Sequence, residues 1–536
     1  MPNEAPVRVA RELASRGYNA EREAVTVLAR ADDIEAAIEG AIEAAPEDAL
    51  KIAVDHARDA LADASATSAA RRGEKIPSGD ASTDTSPTED PSVSTGTDAA
   101  QSVESAGRSP VETGGSSSGG SERPSRPTSS RADRSPDEPA VENDVTGRST
   151  GTGAYDDFVS VFRDRYERLG SKLRSRVNHR PAEAIRKLPG GSDVAMVGMV
   201  NDVRSTASGH WLVELEDPSG VFPWLVMKDR GFSDVVGELL LDEVLAMEGT
   251  LADDSGIAFV DDVHFPDVPR TFEPSTADRS VSAALISDVH IGSVDFVEAA
   301  WDRFVDWLHR PAADEVEYLL IAGDMVEGIG VYPGQQEELT IEDVYDQYEA
   351  FSELLKDVPG DVEIVMIPGN HDAVRLAEPQ PGFDEELRSI MSAHDATITG
   401  NPSVVTLEGI DVLMYHGVSL DELIAEFPES SASYEHPHEA MYHLLKKRHL
   451  APEYGGRMRI APEERDYLVI DEVPDVLHAG HVHKLGVGNY HGVRVINSGA
   501  WQSQTEFQQS VNLQPDYGVA PILDLQTLEV DVRTFA

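Results

Sequence analysis

The chain has 536 residues, enough for two or three domains, with 97 acidic against 44 basic residues and a formal net charge of −53. It has no cysteine, which excludes disulfides, thiolate metal sites and a cysteine nucleophile. No apolar run approaches the roughly 20 residues of a membrane span, and Met1-Pro2-Asn3-Glu4 does not open a signal peptide, so a cytoplasmic protein without a membrane partner is expected. The acid is spread along the whole chain, as on the solvated surfaces that halophiles use, and does not form a single acidic tail. Such a surface repels DNA at low salt. A nucleic-acid role therefore needs a local basic patch or screening by high salt.

Residues 1–67 read as a small helical domain. Val9, Leu13 and Gly17 suggest a helix with a glycine stop, and Asp32 with Glu35 makes a capping box ahead of Ile34, Ile38 and Ile42 on one helical face. Pro46 begins another helix, with Leu50 and Val54. Residues 68–152 are Ser, Thr, Gly, Pro, Asp and Glu with few apolar side chains, a composition that cannot offset its ordering entropy and is expected to be a disordered tether. In 153–190, Phe158, Val161, Phe162, Tyr166 and Leu169 form an amphipathic stripe suited to core or domain packing.

Residues 191–270 change to short strands and turns. The runs beginning at Val194, Trp211, Val221 and Glu243, with the turn Asp217-Pro218-Ser219-Gly220, fit a five-strand OB barrel. Trp211, Phe222 and Trp224 are candidates for a base-stacking platform, but the acidic surroundings favour core or subunit interface.

Residues 280–536 hold the most informative stretch. Apolar, strand-like runs end in the polar clusters Asp288-Val289-His290, Gly323-Asp324, Gly369-Asn370-His371-Asp372 and Tyr415-His416-Gly417, and Gly480-His481-Val482-His483 makes a fifth. Helical patterns at Trp301, Val305 and Leu308 and at Val344, Tyr348, Phe351 and Leu355 alternate with the runs, which supports a layered α/β architecture. The carboxyl ends of such strands face a common crevice. Carboxylate, imidazole and amide ligands without thiolate suit manganese, zinc or iron, and Asp324 is the natural bridge of a two-ion centre. The glycines let the backbone turn sharply behind each ligand.

The order of these clusters resembles the calcineurin-like metallophosphoesterase superfamily. The surrounding phrases resemble something narrower, the small exonuclease subunits of archaeal D-family DNA polymerases. These phrases are Glu327-Gly328-Ile329-Gly330-Val331-Tyr332-Pro333-Gly334-Gln335, Arg448-His449-Leu450-Ala451-Pro452 and Asn497-Ser498-Gly499-Ala500-Trp501-Gln502-Ser503-Gln504-Thr505. The likeness covers roughly Ser192 to the C-terminus. It implies a four-layer phosphoesterase domain preceded by the OB barrel, a large catalytic polymerase subunit as partner in a heterodimer or higher assembly, and DNA as substrate. It also implies a partner-docking or regulatory role for the N-terminal domain.

Carried over residue by residue, Asp288, His290 and His483 would hold one divalent ion with bridging Asp324, and Asn370, His416 and His481 the second. Manganese is the foremost candidate, with zinc, iron and magnesium left open. His371 would protonate the leaving sugar oxygen, with Asp372 orienting its imidazole, in 3′→5′ hydrolysis of DNA. Competing readings are a free phosphodiesterase for small nucleotides and a non-catalytic scaffold. Lys446, Lys447 and Arg448, with Arg457, Arg459, Arg465 and Lys484, form either the DNA-contacting patch that the charge argument asks for or ion pairs on a solvated face. His436, His438, His443, His449, His478 and His491 are expected to be structural or exposed.

Overall fold

The computed structural model describes parts of residues 9–58, residue 136, and residues 138–536 except 232, 255, 331–334, 393–394 and 457. It divides into two compact units, Met1–Gly120 and Ser121–Ala536. In the first, β1 (Asn19–Ala20) pairs in parallel with β2 (Lys51–Ile52), and α1 (Ile34–Ala44) buries Ala37, Ile38 and Ala41 with Val9, Ala24, Leu28 and Ala57. The expected residues Leu13, Gly17, Asp32, Pro46, Leu50 and Val54 lie outside the described residues, as does 68–135 of the expected tether. No helix among the described residues is long and apolar enough to cross a membrane.

The end of that tether departs from expectation. Ala140–Glu142 form β3, an edge strand that pairs antiparallel with β13 (Ser403–Leu407), with Val141 opposite Val405. Val145 is fully buried. The pairing carbonyls and amides come from more than 250 residues away, which local composition does not register.

A closed barrel follows, built from β4 (Asp193–Ser205), β5 (Trp211–Asp217), β6 (Gly220–Val226), β7 (Val244–Leu251) and β8 (Ala258–His264) in the order β4-β5-β6-β8-β7. Phe222 and Trp224 are fully buried in its core, so neither can stack on a base; Trp211 is half-buried against the same core. Helix α2 (Tyr155–Arg174) carries the expected stripe. Tyr166, Leu169 and Leu173 pack on Val197, Val244 and Ala246 of the barrel, while Val161 joins the core of the following domain.

That domain holds two six-stranded sheets. The first has the order β12-β11-β10-β9-β18-β19, from β9 (Ser282–Ile286), β10 (Val316–Ala322), β11 (Glu363–Ile367), β12 (Thr397–Ile398), β18 (Val519–Asp524) and β19 (Val530–Thr534). The second has the order β16-β17-β15-β14-β13-β3, adding β14 (Ile410–Met414), β15 (Val476–Ala479), β16 (Leu485–Tyr490) and β17 (Val493–Ser498).

Strand periodicity sorts the side chains between layers. In β10, Tyr318, Leu320 and Ala322 face a core shared by the two sheets, with Val412 and Met414 of β14. Leu319 and Ile321 face outward, beneath Trp301 and Phe304 of α3 (Glu298–Leu308) and Tyr348 and Phe351 of α4 (Val344–Leu355). Leu413, Leu477 and Val495 of the second sheet lie under α5 (Ser419–Glu426) and α6 (Pro437–Lys447). Because both faces of the central strands are buried, they read in the sequence as unbroken apolar runs.

Candidate metal centre

β9, β10 and β11 run parallel in one sheet and β14, β15 and β17 in the other. All five polar clusters leave the carboxyl end of one of these strands. Asp288, His290, Asp324, His481 and His483 all adopt left-handed backbone conformations, φ between 52° and 73°, which swing consecutive side chains toward one point. Such conformations are uncommon outside glycine and cluster at functional sites. The glycines serve close approach: a β-carbon on Gly369 would lie 2.2 Å from Asp324 Oδ1, and one on Gly480 2.4 Å from Asp288 Oδ2.

The ligand-type side chains gather in three groups. Asp288, His290 and His483 present atoms within 4.8 Å of one another, as do Asp324, His416 and His481, and also His290, Glu327 and His371. Asp324 stands between the first two groups, its Oδ2 3.2 Å from His416 Nε2 and 3.9 Å from His290 Nε2. Asn370 Oδ1 lies 3.0 Å from His416 Nε2. His416 Nδ1–H donates to the Ala322 carbonyl (2.8 Å) and His290 Nδ1–H to Glu327 Oε2 (2.8 Å), so both imidazoles turn Nε2 inward. The Gln508 side-chain amide hydrogen-bonds His483 Nδ1 at 2.9 Å. His481 Nε2 is 3.5 Å from Asp421 Oδ2.

These residues suit divalent cations on electrostatic grounds. Asp288, Asp324 and Glu327 are at most 2% exposed. The described ion pairs of Asp288 and Asp324 are all with histidines, and Asp288 Oδ1 makes no hydrogen bond among the described residues. Buried carboxylates held this way are costly unless cations compensate them. The field they set up is visible on His416. Burial works against its charge, yet Asp324 and Asp288 lift its pKa to about 10.

Glu327 is a member of the site whose role residue type and spacing do not reveal. It grips His290 through Oε2, and its backbone oxygen accepts from His371 Nδ1 at 2.8 Å. Burial disfavours its charge, but His290 and His371 hold its pKa down at about 2. Gln502 donates to Glu327 Oε2 (2.9 Å) and to Ser293 Oγ (2.8 Å), fastening the loops together. Its hints in sequence are its place three residues after Asp324 and at the head of the phrase Glu327–Gln335.

The expected role of Asp372 is corrected. It does not touch the His371 imidazole. Its Oδ2 accepts from Gly369 N (2.8 Å) and its Oδ1 from Tyr348 OH (3.0 Å), so it braces the turn, and burial and nearby Asp324 push its pKa up to about 7. Adjacent side chains in so tight a turn diverge, and the Glu327 carbonyl takes the imidazole instead.

The basic patch is corrected as well. Lys447, Arg448 and Lys484 are 2%, 3% and 5% exposed. Lys447 pairs with Glu243, Arg448 donates to the Ile470 and Asp471 carbonyls, and Lys484 lies 3.4 Å from both Asp516 and Glu435. Lys446 pairs with Glu238 at 3.0 Å. In so acidic a chain the nearest carboxylates claim the cations. Arg459 and Arg465 are exposed, and Arg457 lies outside the described residues.

A sequence profile of the B subunits of DNA polymerases alpha and epsilon matches residues 283–485, which contain every ligand position above. That match points to a class, the accessory subunits of DNA polymerases. Over the whole length of both chains the protein is 61% identical to the DNA polymerase II small subunit of Halobacterium salinarum. It is 43% identical to that of Archaeoglobus fulgidus across 70% of this chain and 76% of the other, and 42% identical to that of Methanothermobacter thermautotrophicus across 72% and 80%. The chain belongs to the family of archaeal DNA polymerase II small subunits.

Proposed function

We propose that this chain is the 3′→5′ exonuclease subunit of a two-subunit replicative DNA polymerase, with synthesis carried by a large catalytic partner. The observation that carries the nuclease reading is the set of buried, histidine-faced carboxylates gathered from separate strand ends around Asp324. On this reading the two-sheet domain (280–536) is a calcineurin-like metallophosphoesterase, the barrel (191–270) an OB fold, and 153–190 their connector. Residues 1–67 form a separate helical module, and the tether that follows it ends where β3 joins the second sheet.

Asp288, His290, His483 and Asp324 would hold one ion, and Asp324, Asn370, His416 and His481 the other, manganese being the first choice. Bound there, the ions would supply Lewis-acid activation of water and neutralise charge on the phosphoryl oxygens. The protein's own groups do the rest. Asp324 Oδ1 accepts from the His371 amide (2.8 Å), fixing the turn that aims its imidazole. With Nδ1 held by the Glu327 carbonyl, Nε2 is the atom left to meet substrate, and the side chain is 18% exposed. Burial lowers the pKa of His371, but the Asp324 and Glu327 charges outweigh it and raise it above the usual value. A protonated imidazole is then on hand for the departing sugar oxygen as the P–O bond breaks.

The test is digestion of 3′-labelled and 5′-labelled single strands in high salt with manganese, beside His371→Ala. Stepwise shortening from the 3′ end, lost in the variant, is expected. Cleavage of a small nucleotide diester with none of DNA, even with the large subunit added, would replace this reading by that of a free phosphodiesterase.

A further inference from the structure

The six stretches that follow β9, β10, β11, β14, β15 and β17 (287–297, 323–343, 368–384, 415–418, 480–484 and 499–518) carry the centre. Between them they contain two basic residues, Arg375 and Lys484. Both are spoken for: Arg375 by Glu463, and Lys484 by Asp516 and Glu435. A nucleic acid approaching the centre therefore meets no free lysine or arginine on these stretches. High salt, which a chain of net charge −53 needs before DNA can come near, weakens phosphate contacts further.

What the same stretches do offer is apolar. Eleven large apolar side chains are exposed among the described residues, and five of them, Val294, Ile329, Leu376, Phe507 and Val511, stand on these stretches. Phe507 and Val511 are 65% and 55% exposed, and the Val511 amide bonds the Phe507 carbonyl, which puts the two side chains on one face of the short helix Glu506–Ser510. That helix is fixed to the centre. Thr505 and Gln508 cap it reciprocally, and Gln508 hydrogen-bonds His483. Val294 adjoins Ser293, which Gln502 ties to Glu327, and Ile329 follows Glu327 by two residues. An exposed aromatic anchored next to a ligand, with no cation over its ring among the described residues, suits the face of a base.

We infer that Phe507, with Val511 on the same helix face, forms a lip that holds the unpaired bases of a DNA end by stacking, in place of phosphate contacts. The inference rests on the nuclease reading of the adjoining centre. It favours as substrate a strand end whose bases are unpaired, because a base inside a duplex has both faces covered by its neighbours. It also gives an acidic enzyme a recognition mode that survives high salt.

Binding tests the lip without depending on catalysis. Fluorescence anisotropy of the full-length protein with a labelled oligothymidine is compared with the same strand carrying abasic residues at its 3′ end, in molar potassium chloride without added divalent metal. The wild type should bind the normal end about tenfold more tightly, the size of one base–aromatic stack. Phe507→Ala should bring the normal strand to the abasic level and leave the abasic strand where it was. Val532→Ala, an exposed apolar side chain on the outer strand β19, should keep the wild-type ratio. A Phe507→Ala protein that keeps the ratio, or that binds DNA normally while failing to join the large subunit, overturns the inference. Hydrolysis of bis(4-nitrophenyl) phosphate by the wild type with manganese is scored separately. Its absence would count against the catalytic centre, whichever way the anisotropy falls.

Discussion

Two regions of this molecule bury carboxylates beside histidines, and they are built to opposite ends. Where α2 and the barrel meet the two-sheet domain, Asp466 receives Arg165 Nε at 2.7 Å and His449 Nε2 at 2.8 Å, all three side chains at most 1% exposed. Nearby, buried Lys447 meets buried Glu243. Both of these carboxylates have their own arginine or lysine. At the strand ends, Asp288 and Asp324 face imidazoles, and one oxygen of Asp288 is left without a hydrogen bond among the described residues. The same residue types thus make a joint in one place and a cation-seeking site in the other. Compensation separates them: a closed charge balance gives a fixed junction, and one closed by imidazoles alone leaves side chains that could hold a metal ion.

The largest expected effects pull the two regions in opposite directions. Asp466→Asn leaves Arg165 buried without its partner and should lower stability by about 3–5 kcal/mol, while manganese titration on the proposed two-ion reading should match the wild type. Asp324→Asn should do the reverse, abolishing DNA hydrolysis and manganese binding without lowering the melting temperature in chelator. If both variants lost stability equally, the contrast between joint and site would be gone.

The junction should also be acid-sensitive. Burial and Arg165 hold the pKa of His449 down at about 4, below the roughly 6.5 of an unfolded histidine. Between those values the unfolded chain takes up a proton that the folded one refuses, so stability is lost as pH falls from about 6.5 toward 4. The Asp466 carboxyl, held well below its ordinary value by His449 and Arg165 against burial, adds loss further down the acid range. Melting temperatures across that range, repeated with Asp466→Asn, should keep the His449 loss, since that carboxylate raises the histidine's pKa and its removal relieves nothing, while the steeper loss at lower pH disappears.

Next in size is His371→Ala. On the nuclease reading proposed above, losing this proton donor should slow DNA hydrolysis by about 10²–10⁴. A 4-nitrophenolate leaving group needs no proton and should be nearly indifferent to the change. Because the imidazole must carry its proton to act, wild-type activity on DNA should fall as pH climbs through the pKa of His371, with no such limb for the nitrophenyl diester. Smaller still, Glu327→Gln keeps the packing but loosens His290, and should weaken manganese binding about 10–100-fold in a calorimetric titration. Smallest is Lys446→Ala. Its ion pair with Glu238 is 22% exposed on the lysine side, so a loss of no more than about 1 kcal/mol is expected in denaturant unfolding. Unchanged DNA digestion by this variant would mark the basic run as structural.

The parts of the centre that can be read in advance share a feature. Asp288, His290, Asp324, Asn370, His416, His481 and His483 each sit in a cluster at the end of a buried strand, so chain order alone announces them. Glu327 and Gln508 act through contacts with residues far along the chain, 37 positions in one case and 25 in the other, and single letters do not show such pairings. Asp372 misleads because neighbours in sequence are not always neighbours in space. The basic run at 446–448 looks like a patch because its counter-charges, Glu238 and Glu243, lie some 200 residues earlier.

By itself, then, the sequence determined the strands, the barrel runs, the amphipathic helix and the roster of ligand-type side chains, because apolar periodicity and turn chemistry act within a few residues. Only the tertiary structure decided which charges are balanced. Arg165 and Asp466 stand 301 positions apart, and β3 finds its edge across a similar span. Whether a buried carboxylate becomes a joint or a site depends on which cation the fold brings to it, and that choice is made by packing at long range.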